Sequence, residues 1–509
     1  MAATEGEQAL TSSGLGLLKK ALLGAFIVFA LTAAASSTAV LLEADRLVGI
    51  FTGGGHQIDG IDGALDNVDS GGPQTILVLG SDRRFVDKKL GNPVRSDTLL
   101  LVRLDPERKS TAVMSIPRDL KVAINTKGGK RTDKINAAYA IGGPRLAVET
   151  VKSLLGVTVN HVVNVNFGGF RRAVDRLGCV YIDVDKDYFN DNMPPNGGGE
   201  PYAAIDINPG YQKLCGTKAL DYVRSRHLDN DFVRAARQQD FLRQAKEQIG
   251  LGRVFGDRDE LLRVFAAYTD TDLHSTPAIL RLLKLAFESS TNPIREVKFR
   301  GDAGPTYVTV SKRNLRLTVD EFLNAPPAAA KPVTTTPTAT AKRAKGRSGA
   351  SRRRKPRAGE LPPGLIDAKD EGLDQVADAS LRSGFPLYYP TARLARGSYA
   401  GKPRVYDLYD RSKKRFRAYR IVGSHPENGQ NYGVQGTSWL SPPILDNPTE
   451  KTTMRGREYQ LFYDGRRLRI VAWKTDRGAY WVSNTLSLRL SNPQMLAIAR
   501  SLTRAGSGR

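Results

Sequence analysis

Two cysteines, Cys179 and Cys215, in 509 residues exclude a disulfide scaffold and any all-cysteine zinc site. The five histidines (His56, His161, His227, His274 and His425) are scattered, with neither H-E-x-x-H nor C-x-x-C spacing, so zinc chemistry lacks a ligand set. Acid is the scarcer charge. Lys plus Arg is 76 against 52 Asp plus Glu, a formal net charge of +24. Such a surface attracts anions: nucleic acid, phospholipid headgroups or phosphorylated substrates. Hydrophobic (40%) and charged (25%) contents sit near globular averages, which excludes wholesale disorder, and the length suits about three domains.

Charge-free apolar runs are equally scarce, with one exception. Ala21 to Leu42 carries no charge and holds Leu22, Leu23, Phe26, Ile27, Val28, Phe29 and Leu31. About 20 helical residues cross a ~30 Å hydrocarbon core, so the stretch is expected to be a transmembrane anchor. Lys19 and Lys20 precede it and Glu43 and Asp45 follow, which places residues 1–20 in the cytoplasm and the bulk of the chain outside, in a single pass through the plasma membrane. A cleaved signal peptide and a buried core helix are the alternatives. An exported chain meets an oxidising compartment, where Cys179 and Cys215 are expected to form one bridge; two separate buried thiols are the other reading.

Residues 43–72, Gly- and Asp-rich, read as a tether, and 73–324 as a domain of alternating strands and helices. Gln74–Leu79, Thr98–Leu104, Thr111–Ile116, Val159–Val165 and Val180–Val184 have strand patterns. Pro144–Leu155, with a first-turn proline and Gly156 beyond its end, Phe170–Leu177 and Phe232–Ile249 have helical ones. The expected fold class is α/β, a mixed central sheet flanked by helices on both faces. Residues 325–364 are rich in Pro, Ala, Thr and basic side chains, with ten Lys or Arg and no acid from Lys331 to Arg357. They read as a disordered linker rather than a nucleic-acid arm, because the chain is expected outside the cell. Residues 365–509 form a small α+β unit of open role. In it Tyr459–Tyr463, Asp464-Gly465 and Leu468–Trp473 predict a type I′ hairpin, Ala479–Ser483 a further strand, and Ser491-Asn492-Pro493 the start of a final helix. Its aromatics (Tyr388, Tyr389, Trp439, Trp473, Trp481) read as core rather than as a ligand platform.

The chemistry-bearing residues fall in the first domain. Gly80-Ser81-Asp82 closes the first strand, where α/β sheets place ligand groups. Arg95-Ser96-Asp97-Thr98 opens the second strand, Ser115-Ile116-Pro117-Arg118-Asp119 ends the third, and Lys134-Ile135-Asn136 and Tyr222-Val223-Arg224-Ser225-Arg226 come later. Arg224 and Arg226, two apart on a strand, are expected on one face, and Arg234 and Gln238, four apart on a helix, on one stripe beside Arg237. If Asp82 and Asp97 lay ~5 Å apart they would repel by about 3 kcal/mol at an effective dielectric of ~20. A divalent cation or arginines would offset this, and together they suit a pyrophosphate. Singly, any Arg or Asp here reads more readily as a solvated surface charge than as a ligand group, and Arg234, Arg237 and Gln238 alone also fit the wet side of an amphipathic helix.

In order, these segments resemble the LytR-CpsA-Psr (LCP) family of membrane-anchored cell-wall glycopolymer transferases. The resemblance runs from Gln74 to Ile249 through Gly80-Ser81-Asp82, Arg95 to Thr98, Ser115 to Asp119, Lys134 to Tyr139 with Gly142-Gly143, Phe167 to Gly178, Ala219 to Arg226, Asp231-Phe232 and Arg234 to Gln238. It implies transfer of a glycopolymer from a polyprenyl-pyrophosphate carrier to peptidoglycan as a phosphodiester. It implies Mg²⁺ (or Mn²⁺) held by Asp82 and Asp97, and a pyrophosphate shell of Arg95, Arg118, Arg224, Arg226, Arg234 and Gln238, with Lys134 and Arg237 as weaker members. Asp97 or Asp119 would act as general base and Arg118 at the reacting phosphate. Nucleic acid is not among the implied partners. The two cysteines resemble a bridge of arabinogalactan-bearing relatives. Two features depart from the pattern: Asp82 to Arg95 is longer and more basic, and the C-terminal unit is not the family's usual tail. Two rival functions share the residues: pyrophosphate hydrolysis, and a non-catalytic anchored protein gripping anionic polymer.

Overall fold

The computed structural model of this protein describes residues 46, 49, 56–58, 60–67, 71–81, 96–191, 204–225, 231–249, 258–273, 281, 282, 284, 285, 289, 294–324, 361–426 and 430–506. The expected anchor, most of the expected linker, Asp82, Arg95 and Arg226 lie outside them. Among the described residues no helix is long and apolar enough to cross a membrane.

Strands β1 (His56–Gln57), β2 (Gln74–Ser81), β3 (Ser96–Asp105) and β4 (Ser110–Ile116) open the catalytic-unit candidate, followed by a hairpin of β5 (Lys121–Thr126) and β6 (Gly129–Lys134). Helix α1 (Ile135–Leu155), β7 (His161–Asn166) and helix α2 (Phe167–Arg176) come next. Then β8 (Val180–Val184), β9 (Tyr188–Asn190), β10 (Ile205–Ile207) and β11 (Gly210–Leu214) make an antiparallel ribbon. Helices α3 (Gly216–Arg224) and α4 (Asp231–Gln248) and strands β12 (Thr269–Thr271) and β13 (Ile294–Val297) follow.

The sheet order is β1-β12-β7-β2-β3-β4-β13, with parallel pairs at β1/β12, β2/β7 and β4/β13 and antiparallel pairs elsewhere. It is therefore mixed, with helices on both faces. Period two in the strands divides the two sides. Leu77, Leu79, Leu99 and Leu101 pack with Ala138, Val148 and Val151 of α1 in one core. Val78, Gly80, Thr98 and Leu100 face α2, α3 and α4 across a cavity.

Helix α1 contains both the expected start and the expected stop. Gly142 and Gly143 break its helical geometry just before Pro144, and Gly156 caps it at φ 65°. Residues 56–67 were expected in the tether but belong to the sheet unit: β1 pairs with β12, and Ile61 is fully buried. Isolated apolar residues in a Gly- and Asp-rich stretch give no periodic signal. A second correction concerns Arg224. It ends helix α3, not a strand, because Ala219, Leu220 and Tyr222 fall on the buried side of a helical turn.

Residues 361–506 build a seven-stranded antiparallel sheet: Arg404–Tyr409, Arg415–Ser424, Asn431–Thr437, Ala479–Ser483, Arg467–Lys474, Arg457–Asp464 and Glu450–Met454, in that spatial order. One face (Tyr419, Ile421, Val471, Trp473, Val482) packs with Val376 of the helix Lys369–Ser383 and with Met495 and Ile498 of the helix Asn492–Ser501. Ser491 and Gln494 close a capping box on the second helix. The expected hairpin forms, but its turn is Gly465-Arg466 between the paired Asp464 and Arg467. Of those two, Gly465 alone has positive φ, so the turn is not type I′.

A buried charge cluster joins the two sheets. Arg243 of α4 contacts Asp240 and Glu296, and its Nη1 lies 3.6 Å from Asp464 of the hairpin. Burial opposes its charge, but the three carboxylates outweigh that and raise the guanidinium's pKa. Arg243 alone cannot neutralise all three, and Lys298 adds only a weaker attraction. Burial pushes the Glu296 carboxyl up to about 7; Arg243 opposes this, while Asp464 and Asp240 add to it. Because the folded pKa exceeds the ordinary 4.5, the stability attached to this proton is complete below about pH 4.5 and is lost as pH rises through about 7. Wild-type protein is therefore expected to lose stability between pH 5 and 8. Glu296→Gln, compared by thermal melts at both pH values, should flatten that slope; an identical slope in the variant contradicts this assignment.

Candidate active site

Sheet geometry positions the strand-end residues. Gly80 pairs with Thr98 and Ser81 with Ser96, so Asp97 is the extra residue of a bulge in β3. Bulges re-aim side chains at strand ends. The Ser96 hydroxyl holds this one, donating to the Thr98 carbonyl at 2.7 Å and reaching the Gly80 carbonyl at 3.3 Å. Asp82 follows Ser81 directly in sequence. The backbone register thus sets position 97 at the strand end beside Ser81; the Asp97 side chain, like Asp82, lies outside the described residues. Among described residues one other group has metal-like spacing, Asp175, Cys179 and Cys215, but both sulfurs are joined in a disulfide.

Two clusters flank the bulge. On the β4 side, Lys134 Nζ lies 2.9 Å from Asp119 Oδ1, and Arg118 Nε 3.6 Å from Asp119 Oδ2. Backbone bonds fix this corner: the Ile135 N–H donates to Leu120 and the Asn136 N–H to Arg118. Three of the expected site residues are thus brought together, with Asp119 between two cations.

On the other side is a cavity of about 160 Å³ between β2, β3 and β7 and helices α2, α3 and α4. Its wall is apolar, with Val78, Leu100, Phe170, Leu220, Val223 and Phe241 among its members. Arg224, Arg234, Gln238 and Asn166 supply its polar groups. Gln238 donates to Thr98 Oγ1 and to the Val223 carbonyl, both at 3.2 Å, and so ties α4 to β3 and α3. Arg224 holds Asp221 Oδ1 through Nε (3.1 Å) and Nη2 (2.8 Å), with its guanidinium 5.5 Å from the Phe167 ring centroid. Burial pushes the Asp221 carboxyl above the ordinary range, and the Arg224 bond pulls against it. Arg234 is 6% exposed, a buried cation at an apolar chamber.

Arg237 requires a correction. It is fully buried, absent from the cavity wall, and set against Tyr188 and Tyr222 at 4.7 and 5.6 Å. It donates to the Ser225 carbonyl at 2.5 Å and thereby holds the segment that leads to Arg226. Helical spacing placed it beside Arg234 but could not tell a wet flank from a buried one. The apolar wall and Asn166, whose side chain caps α2 by accepting from the Gly169 N–H at 3.0 Å, were not singled out as site residues. Their only signal was an Asn before Phe-Gly-Gly, a helix-start pattern without chemistry of its own.

The site thus combines an apolar chamber, basic groups at its polar side and a bulged strand end next to it, on a mixed α/β unit. The profile of the LytR_cpsA_psr family matches residues 52–321, more than half of the chain, and the chain belongs to that family. A Bacillus anthracis relative, polyisoprenyl-teichoic acid–peptidoglycan teichoic acid transferase TagU, is 37% identical over 176 residues, 34% of this chain and 52% of the relative. An uncharacterised Staphylococcus aureus protein is 36% identical over 174 residues, 34% of this chain and 41% of that protein. The chain spans about half the length of the curated relatives it matches. Among solved structures, TagT of Bacillus subtilis is 26% identical and aligns 53% of this chain with 98% of its own at a TM-score of 0.38. TagV of the same species gives 26%, 50%, 99% and 0.39.

Proposed function

We propose that this protein is an extracytoplasmic, membrane-anchored phosphotransferase that moves a glycopolymer from a polyprenyl-pyrophosphate carrier onto peptidoglycan. The observation that carries it is the apolar chamber with Arg224, Arg234 and Gln238 on its polar side. A prenyl chain is the kind of ligand that gains from such a wall, at about 0.8 kcal/mol per buried CH₂. A pyrophosphate is the kind of anion that guanidinium forks hold. Family membership and the name of the TagU relative support the same direction.

In the reaction, a peptidoglycan hydroxyl oxygen bonds to the sugar-proximal phosphorus. The bond from that phosphorus to the bridging oxygen breaks, and polyprenyl phosphate leaves with the electron pair. The hydroxyl proton passes to a carboxylate, Asp97 or Asp119. Arg118, Arg224 and Arg234 hold the anion in place, with Arg95 and Arg226 assigned to the same shell by their motif positions. Asp82 and Asp97 would hold Mg²⁺, which when bound supplies charge neutralisation at the pyrophosphate. Phosphoryl transfer draws its acceleration from such positioning and neutralisation.

Filling the chamber tests the assignment of the lipid end. Val78→Phe is expected to weaken farnesyl pyrophosphate binding about tenfold, the equivalent of losing roughly two buried CH₂ groups, and to leave inorganic pyrophosphate binding unchanged. Calorimetry on both ligands checks this. Equal loss for both would move the chamber out of lipid recognition.

A further inference from the structure

In the ribbon of β8 and β11, β8 is buried along its whole length, on both faces. Val180, Ile182, Val184 and Leu214 pack against Ala219 and Tyr222 of α3 and Phe241 of α4, next to the cavity wall. The opposite face carries Tyr181, Asp183 and Tyr211 into the C-terminal sheet, where they form one core with Tyr406, Ile470 and Trp481. Asp183 lies at its centre. Its Oδ1 accepts from Arg420 Nη1 at 2.8 Å and its Oδ2 from Trp481 Nε1 at 3.1 Å, with Arg420 1% exposed. The sequence makes room for this pair. A Cβ on Gly433 would stand 2.3 Å from the Arg420 guanidinium carbon, and one on Gly210, at φ 115°, 2.5 Å from the Tyr406 hydroxyl.

The same docking reaches helix α4 directly. Gln248 at its end bonds both backbone groups of Tyr181, Glu247 lies 3.5 Å from Arg469, and Arg411 donates to the Gln248 carbonyl. Arg234 and Gln238 are on the preceding turns of that helix. Helix α3, which ends at Arg224, is fastened to the start of the ribbon by the Cys179–Cys215 bridge.

We infer that the C-terminal unit is a positioning element of the site: its docking through Asp183–Arg420–Trp481 fixes α3 and α4, and with them the basic side of the cavity. Arg420 and Asp183 are positioning residues rather than groups that touch substrate. The inference rests on the assignment of that cavity as the pyrophosphate-lipid site, and goes beyond it in giving residues 361–506 a part in ligand binding.

Hydrogen exchange and ligand binding on the full-length protein in detergent test it together. Arg420→Met leaves Asp183 buried and unpaired. It should speed backbone exchange over residues 231–248 and 216–224 at least tenfold, and weaken farnesyl pyrophosphate binding at least fivefold, while exchange in α1 stays unchanged. The pair variant Asp183→Leu/Arg420→Met removes both charges and should restore exchange and affinity to within about twofold of wild type. Trp481→Phe, which removes the Nε1 donor to Asp183 and keeps an aromatic ring in place, is the milder variant should Arg420→Met not be recovered folded, and should shift exchange in α4 in the same direction. Unchanged exchange in α3 and α4 in Arg420→Met, or in Trp481→Phe where only that variant is folded, overturns the inference whatever the ligand result. Faster exchange with unaltered affinity also overturns it. A wild-type protein that binds no prenyl pyrophosphate sinks instead the functional proposal above, and exchange still decides the coupling.

Discussion

Arg234→Ala and Arg118→Ala are each expected to cut glycopolymer transfer at least tenfold, whereas Arg353→Ala should leave it unchanged. A charge-assisted hydrogen bond lost without replacement costs about 1.5 to 3 kcal/mol, which is about tenfold to more than a hundredfold in rate. Arg234 is nearly fully buried at the chamber, and Arg118 is fixed by the corner that also holds Asp119 and Lys134. Arg353 lies in the basic stretch between Lys331 and Arg357, outside the motif segments, and its loss removes the same unit of charge. Turnover of the three variants under one assay separates local geometry from net charge. Equal losses in all three would favour simple gripping of anionic polymer. In the same assay Asp97→Asn should weaken the metal dependence; full activity with an unchanged Mg²⁺ requirement would remove Asp97 from that role.

Removing the Cys179–Cys215 bridge should be the largest single loss of stability. The bridge closes a loop over a separation of 36 residues, worth roughly 3 to 4 kcal/mol in the chain-entropy picture. Cys179 also sits at φ 66°, a left-handed conformation a non-glycine residue adopts at a cost. The bridge joins the residue just before β8 to the cap position of α3. Loss should therefore appear both as a lower melting temperature and as weaker pyrophosphate binding, since Arg224 ends that helix. Cys179→Ser/Cys215→Ser, melted without reductant beside the wild type, checks it. A melting temperature within about 2 °C of wild type would contradict this.

Much of the fold was legible because its signals are local. Ile76–Leu79 is an uninterrupted apolar run within the first strand, Pro144 and Gly156 bracket a helix, and Ser491-Asn492-Pro493 announces another. The β5–β6 hairpin was not legible: its second strand is exposed for most of its length and carries no apolar alternation. Tyr222 to Arg224 read as strand because a short helix gains its stability from contacts distant in sequence, here the bridge and the ribbon core. Val180–Val184 shows the limit most clearly. Alternating apolar and polar residues predict one wet face, yet all five are buried, because the partner of Asp183 is Arg420, far along the chain in another unit. The apolar chamber could not be named from sequence, since its wall is ordinary core-type residues from six elements; of the motif residues, Arg224, Arg234 and Gln238 line it.

The measurement that bears most directly on the central claim is product analysis. Purified protein, a polyprenyl-pyrophosphate-linked oligosaccharide and a peptidoglycan oligomer are incubated with and without Mg²⁺, and the products resolved by mass spectrometry. The account predicts oligosaccharide joined to peptidoglycan through one phosphodiester, with polyprenyl phosphate released in equal amount. Free oligosaccharide phosphate with unmodified peptidoglycan would identify a pyrophosphatase, and unchanged lipid-linked substrate under all conditions would contradict catalysis altogether.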